Sequence, residues 1–217
     1  MIKNRKGFFV SGTDTGIGKT LVSATLAYKL KGNYWKPIQC GINKQGETDS
    51  DVVKRITDGN VEIINERYLF NDPISPNLAA KKKGVSVELK NLDLPKKIKK
   101  PLIIEGAGGL LVPLNEKKLV IDLVKKFSLP LILVSSTKLG TINHTLLSVE
   151  SILNRKINLK GIVFVGEIKT EVTDTIKIFA KKLHNFKNKK IILGCLPKVK
   201  RVNFEIIKKF EKIINIL

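Results

Sequence analysis

Cysteine is scarce in this chain: Cys40 and Cys195 are the only two in 217 residues. Their spacing fits neither a disulfide framework nor a metal finger, which excludes a stapled secreted scaffold and points to reduced thiols. Histidine offers little more. Nothing around His144 or His184 resembles a nucleophile–base triad, and His144 reads as a helix-surface or interface residue. No apolar run approaches the roughly 18 residues of a spanning helix. The stretch in MIKNRKGFFVSG is too short for a signal-peptide core. Acidic residues are also few, 19 against 40 Lys and Arg, for a net charge of +21. That surplus suits a polyanion-binding surface. The lysines, however, are scattered from Lys3 to Lys212 without the interleaved aromatics that single-strand stacking requires. A composition biased toward Lys, Ile and Asn, with lysines on solvated helix faces, accounts for the charge. The expectation is a soluble cytoplasmic chain with neither nucleic acid nor membrane as partner.

What remains is an ordinary globular composition, 42% apolar, with a length that suits one domain over residues 1–217. Short runs rich in Ile, Val, Leu and Phe predict strands at 7–11, 34–39, 101–105, 130–135, 160–165 and 190–195. They show little alternation, as strands buried on both faces do. Helices are predicted at 19–31, 49–58, 119–127, 142–154, 171–183 and 203–215. Val172, Ile176, Phe179, Ala180 and Leu183 carry the helical period. Alternating strand and helix imply an α/β fold, a mainly parallel sheet flanked by helices. Residues 66–99, broken by Pro73, Pro76 and Pro95, predict loops and short helices.

Four segments carry chemistry. The first strand runs into SGTDTGIGKT. Glycines followed by Gly18-Lys19-Thr20 at a helix start form a phosphate-binding loop, since free N–H groups and the helix dipole favour an anion. Gly16, Ile17, Gly18, Lys19, Thr20 and Leu21 would cradle the nucleotide, with Lys19 on the phosphates and the Thr20 hydroxyl on Mg²⁺. The usual spacing calls for glycine where Thr13 stands. The strand PLIIE ends in Glu105, where phosphate-loop enzymes place a carboxylate beside the metal. Gly106, Gly108 and Gly109 then allow close ligand approach. In ETDSDVV, Asp49 and Asp51 suit either helix capping or a second metal carboxylate. In STKLGTINH, Lys138 and a helix N-terminus could receive a carboxylate. A further puzzle lies in YWKPIQCG: Lys36 sits in an apolar run, although lysine resists burial.

In their order, GTDTGIGKT, Lys36-Pro37, Ser50-Asp51, EGAGG (105–109) and KLGTINH (138–144) resemble the dethiobiotin synthetase family. The likeness runs from the first strand to about residue 165, with LGCLP (193–197) matching more loosely. It also accounts for Thr13, because that family's loop begins GTDT. The resemblance implies a phosphate-loop NTPase fold and ATP-dependent carboxylation of 7,8-diaminononanoate with CO₂, through a carbamate and a carbamic–phosphoric anhydride. Carried over by position, Thr20, Asp51 and Glu105 would hold Mg²⁺, and Lys19 would clamp phosphates. Lys36 would stabilise the carbamate and the transferring phosphoryl group, and Thr15 would lie near the reacting amine. Cys40 and Gly108 would face the substrate. Gly140, Thr141, Ile142 and Asn143 would take its distal carboxylate across a homodimer interface. Gly166, Glu167, Leu196 and Pro197 would lie at the base.

Two departures bear on that transfer: Cys40 stands where the family often has a hydroxyl, and Gly166 where it commonly has an asparagine. Two rivals are weaker. A cobyrinate-type amidating synthetase carries a glutaminase domain for which 217 residues leave no room. A DNA-partitioning ATPase usually has an extra lysine early in the loop, where this chain reads Thr13-Asp14-Thr15.

Overall fold

The computed structural model describes residues 6–95, 98–167, 169–183 and 190–216. His184 lies outside them. In chain order the elements are β1 (Gly7–Gly12), α1 (Lys19–Lys29), β2 (Asn33–Trp35), β3 (Ile38–Cys40), α2 (Asp49–Ile56), β4 (Glu62–Ile64) and β5 (Tyr68–Phe70). There follow α3 (Pro76–Lys82), a 3-10 turn at Leu89–Asn91, β6 (Leu102–Gly109), α4 (Val120–Phe127), β7 (Leu131–Ser136), α5 (Thr141–Asn154), β8 (Leu159–Val165), α6 (Thr170–Leu183), β9 (Ile192–Leu196) and α7 (Phe204–Phe210).

Seven strands form one sheet in the order β4-β2-β6-β1-β7-β8-β9, and each pairing is parallel. Parallel neighbours need crossovers, and the crossover helices cover both faces. Strand residues therefore alternate between two cores. Phe9, Ile104, Leu131, Leu133, Ile162 and Phe164 pack with α4, α5 and α6. Val10, Ile103, Ile132, Val134 and Val163 pack with α1, α2 and α7. Burial on both sides is why these strands read as unbroken apolar runs.

The expected strand 34–39 is two strands. β2 stops at Trp35; β3 starts at Ile38 and pairs with β5 in a separate two-stranded sheet. Lys36 and Pro37 form the step between them. Proline has no N–H for a ladder, and the Pro37 carbonyl accepts from the Arg67 and Tyr68 N–H groups at 2.9 and 3.0 Å. Trp35 anchors the step. Its indole N–H donates to the Asn65 carbonyl at 3.1 Å. Its ring lies 5.6 Å from that of Phe127, which in turn lies 6.3 Å from Phe9.

Other elements also differ from expectation. β4 and β5 have three residues each, too few to show a period. The helix expected over 203–215 ends at Phe210. The chain leaves it because Ile214 and Ile216 are buried and the Asn215 N–H donates to the Leu193 carbonyl at 2.8 Å.

The aromatic stack behind Trp35 generates a prediction. Phe127→Ala should destabilise the protein by about 3–5 kcal/mol, the usual cost of truncating a buried phenylalanine. Urea unfolding measures it. An unchanged midpoint would show that the stack does not anchor the β2–β3 step.

Candidate active site

β1 delivers the chain at Gly12 into the loop that ends at α1. Gly16 (φ 63°) and Gly18 (φ 100°) both take left-handed backbone, which only glycine adopts freely. Gly18 is the N-cap of α1, and its carbonyl accepts the Val22 N–H at 3.0 Å. Lys19 is buried at the first turn, and its Nζ donates to the Asp14 carbonyl at 2.6 Å. Burial pushes its ammonium down to about 8, while the Glu105 charge pulls the other way. Ile17 packs back toward the α1-side core and does not line the cavity.

Next to the loop, Glu105 on β6 is 1% exposed and gathers three donors. Oε1 accepts from Thr20 Oγ1 at 3.0 Å and from Lys36 Nζ at 3.1 Å. Oε2 accepts from the Tyr34 hydroxyl at 2.9 Å. Burial first, and then the Glu105 charge, push the Tyr34 phenol well above its ordinary range, so it stays a donor. Lys36 is itself buried and also pairs with Asp49. Lys36 therefore does not snorkel: it is a cation enclosed between two carboxylates.

The two aspartates of α2 part company. Asp51, expected at the metal, does not line the cavity in this structure. Its Oδ2 accepts from the Thr48 N–H at 2.9 Å and the Thr48 hydroxyl at 2.7 Å, closing a capping box. The acid on the cavity wall is Asp49. The local chemistry explains the split: an acid three residues past a threonine cap reaches back to the cap. Ser50, between them, donates to Glu66.

One cavity of about 930 Å³ joins these groups. Thr15, Gly16, Gly18, Thr20 and Leu21 line it together with Lys36, Cys40, Glu105 and Gly108. Five cationic side chains reach it (Lys19, Lys36, Arg55, Lys200 and Arg201) against the carboxylates of Asp49 and Glu105. Arg55 forks onto Glu47 at 2.7 and 3.0 Å. Tyr34, Arg55, Lys200 and Arg201 were not anticipated. Tyr34 had a signal: it is two residues from Lys36, the spacing that puts side chains on one face of an extended chain. The last two follow β9 in a loop, where no pattern marks them.

Gly140, Thr141, Ile142 and Asn143 stand apart from this cavity. Gly140 caps α5 with φ 89°, and the buried Thr141 hydroxyl bonds to Ser135 and Ser136. Asn143 borders a separate groove between α5 and α6, with Leu146, Leu147, Phe179 and Leu183. At the end of β8, the Gly166 N–H donates to the Leu196 carbonyl at 2.9 Å. A Cβ at Gly166 would collide with Thr137 Oγ1, and φ is 145°, so an asparagine does not fit there as the chain stands. Glu167 and Pro197 are exposed beside it, and Leu196 is buried. None of the four lines the main cavity.

The oxygen donors suit Mg²⁺, a hard cation that takes few protein ligands and completes its shell with phosphates and water. The Thr20 hydroxyl and Glu105 Oε1 converge at the foot of the phosphate loop. Among the described residues no group of three or more His, Cys, Asp or Glu forms a closed metal cage.

A seven-stranded parallel sheet, a glycine loop feeding a helix, and a carboxylate on the adjacent strand define a phosphate-loop NTPase. A family model described as an AAA domain matches residues 6–205. The ParA protein of pNOB8, bound to nonspecific DNA, shares the fold, with a TM-score of 0.53 at 12% identity over 96% of this chain and 92% of that one. Much nearer in sequence is the ATP-dependent dethiobiotin synthetase BioD of Rhodopseudomonas palustris, 44% identical over 89% of this chain and 87% of its own. That of Afipia carboxidovorans is 48% identical over 73% and 75%. The chain belongs to the dethiobiotin synthetase family of ATP-dependent enzymes. No helix among the described residues is long and apolar enough to cross a membrane.

Cys40 gives this site a testable pH signature. Burial pushes its thiol up to about 11, against the pull of Lys36. The thiolate is the reactive form. In a Cys195→Ala protein, alkylation by iodoacetamide should quicken about tenfold per pH unit from pH 8 to 10, without levelling near 9. Mass spectrometry of the Cys40 peptide follows the rate. A plateau at or below pH 9 would place the thiol in solvent instead.

Proposed function

We propose that this chain converts 7,8-diaminononanoate, CO₂ and ATP to dethiobiotin, ADP and phosphate, with Mg²⁺. The observation that supports this most is the placement of Lys36. A buried cation and a phosphate loop open into one cavity, where an anionic carbamate and a migrating phosphoryl group would meet.

One amine of the substrate takes up CO₂ to form a carbamate. A carbamate oxygen then attacks the γ-phosphorus and ADP leaves, giving a carbamic–phosphoric anhydride. The second amine attacks the anhydride carbonyl and expels phosphate, which closes the cyclic urea. Lys19 and the loop N–H groups grip the phosphates. Lys36 stands where negative charge builds in the transition state, held in place by the β2–β3 step. Thr15 borders the reacting amine, and Cys40 and Gly108 face the substrate. Thr20 and Glu105 would hold Mg²⁺, with an aspartate from the start of α2 completing the set: Asp51 by family resemblance, Asp49 by its place on the wall. The ion would supply neutralisation of phosphate charge.

The substrate's distal carboxylate goes to Gly140, Thr141, Ile142 and Asn143 of a second copy. A homodimer is supported by the apolar groove beside α5 and by Leu139, which is fully exposed next to Gly140. The base lies near Gly166, Glu167, Leu196 and Pro197, which adjoin the loop through Val165 against Gly18. Work takes place in the cytoplasm, on small molecules.

The reading predicts phosphate release that needs diaminononanoate and bicarbonate together. Equal hydrolysis with water alone would sink it. Lys36→Ala should lower kcat by about 10²–10³, the usual cost of one preorganised electrostatic contact, and change ATP affinity far less. Steady-state kinetics beside nucleotide titration separates the two effects, and near-normal turnover would remove Lys36 from the chemistry.

A further inference from the structure

Tyr34 is fully buried in the middle of β2, and its hydroxyl is spent on Glu105 Oε2. The register explains how. Tyr34 lies opposite Ile103 and Trp35 opposite Ile104, the last pair of β2 with β6, and Lys36 comes next in the chain, with its ammonium on Glu105. Both side chains converge on Glu105. Tyr34 in β2 and Lys36 just beyond its end therefore bracket one carboxylate, the phenol on Oε2 and the ammonium on Oε1. Thr20 approaches from α1 onto the same Oε1.

This arrangement restricts what Glu105 can offer. Rotation of the carboxylate would leave a buried phenol without an acceptor and a buried oxygen without a donor, which protein interiors disfavour. With Oε2 engaged, Oε1 is the oxygen turned to Thr20 and Lys36. A phenylalanine would fill the same core space, so packing alone does not call for the hydroxyl.

We propose that Tyr34 is a positioning residue: it fixes Glu105 so that Oε1 alone is presented to a divalent cation beside Thr20, and so sets the affinity of that site. This rests on the reading of Thr20 and Glu105 as protein ligands of the cation. Partners of a metal ligand, though they do not touch the metal, typically contribute a factor of about 10–100 in its affinity.

The test is Mn²⁺ binding to the full chain in the presence of ADP, followed by electron paramagnetic resonance. ADP binding without metal serves as a second readout. Tyr34→Phe should raise the Mn²⁺ Kd about 10–100-fold and leave metal-free ADP binding unchanged. Glu105→Gln should weaken Mn²⁺ as well, and the double variant should be no weaker than Glu105→Gln alone, because Tyr34 acts through that carboxylate. If Glu105→Gln binds Mn²⁺ like the parent, the metal-site reading fails and takes the proposal with it. If Glu105→Gln weakens Mn²⁺ but Tyr34→Phe does not, only the role of Tyr34 is overturned. Should Tyr34→Phe not fold, 4-fluorophenylalanine at position 34 fills the hydroxyl's volume without donating, and the same two outcomes apply to it.

Discussion

A buried negative charge on the cavity wall governs this molecule. Glu105 is almost wholly removed from water, and an ionised carboxylate in that position is tolerable only when paired and hydrogen-bonded. Each partner comes from a different part of the chain: Thr20 from the first helix, Tyr34 from β2, Lys36 from the break after it. Removing one partner of a buried pair usually costs about 3–5 kcal/mol, because the other charge is left uncompensated. The carboxylate thus ties the phosphate loop to the β2–β3 step. Folding that neighbourhood correctly and assembling the chemistry are one event.

The step at Lys36-Pro37 shows how such a lysine can be buried at all. In a continuous strand its side chain would face a packed helix. By ending β2 at Trp35 and starting β3 in another sheet, the chain opens a gap at the carboxyl edge of the strands. Open α/β sheets bind ligands at that edge. The aromatic stack behind Trp35 supplies rigidity that a loop lacks, and rigid support is what a preorganised charge requires.

The segments legible in the sequence were those whose chemistry is local. The glycine loop and the apolar runs of β1, β6, β7 and β8 announce themselves within a few residues. The break in 34–39 was missed because Ile38, Gln39 and Cys40 still look like a continuing strand; only pairing with Tyr68–Phe70 shows otherwise. Tyr34 was passed over for a similar reason. Its partner lies 71 positions away, and the register that joins them is a property of the sheet. Which of Asp49 and Asp51 lines the cavity depends on side-chain direction, which spacing alone does not fix. Lys200 and Arg201 reach the cavity from the loop between β9 and α7 and carry no pattern of their own. Gly166 reads in the sequence as a missing side chain; in the fold Thr137 takes up that space.

The five cations along the cavity wall also bear on how a catalytic cycle would end. A wall of this sign attracts an incoming triphosphate, and it holds the departing anions by the same force. Nothing in the Coulomb term distinguishes reactant from product except how many charges each carries and how they are divided. Breaking one polyanion into two smaller ones weakens the grip on each. Mobile salt ions, by screening those charges, would loosen the hold on reactant and products alike.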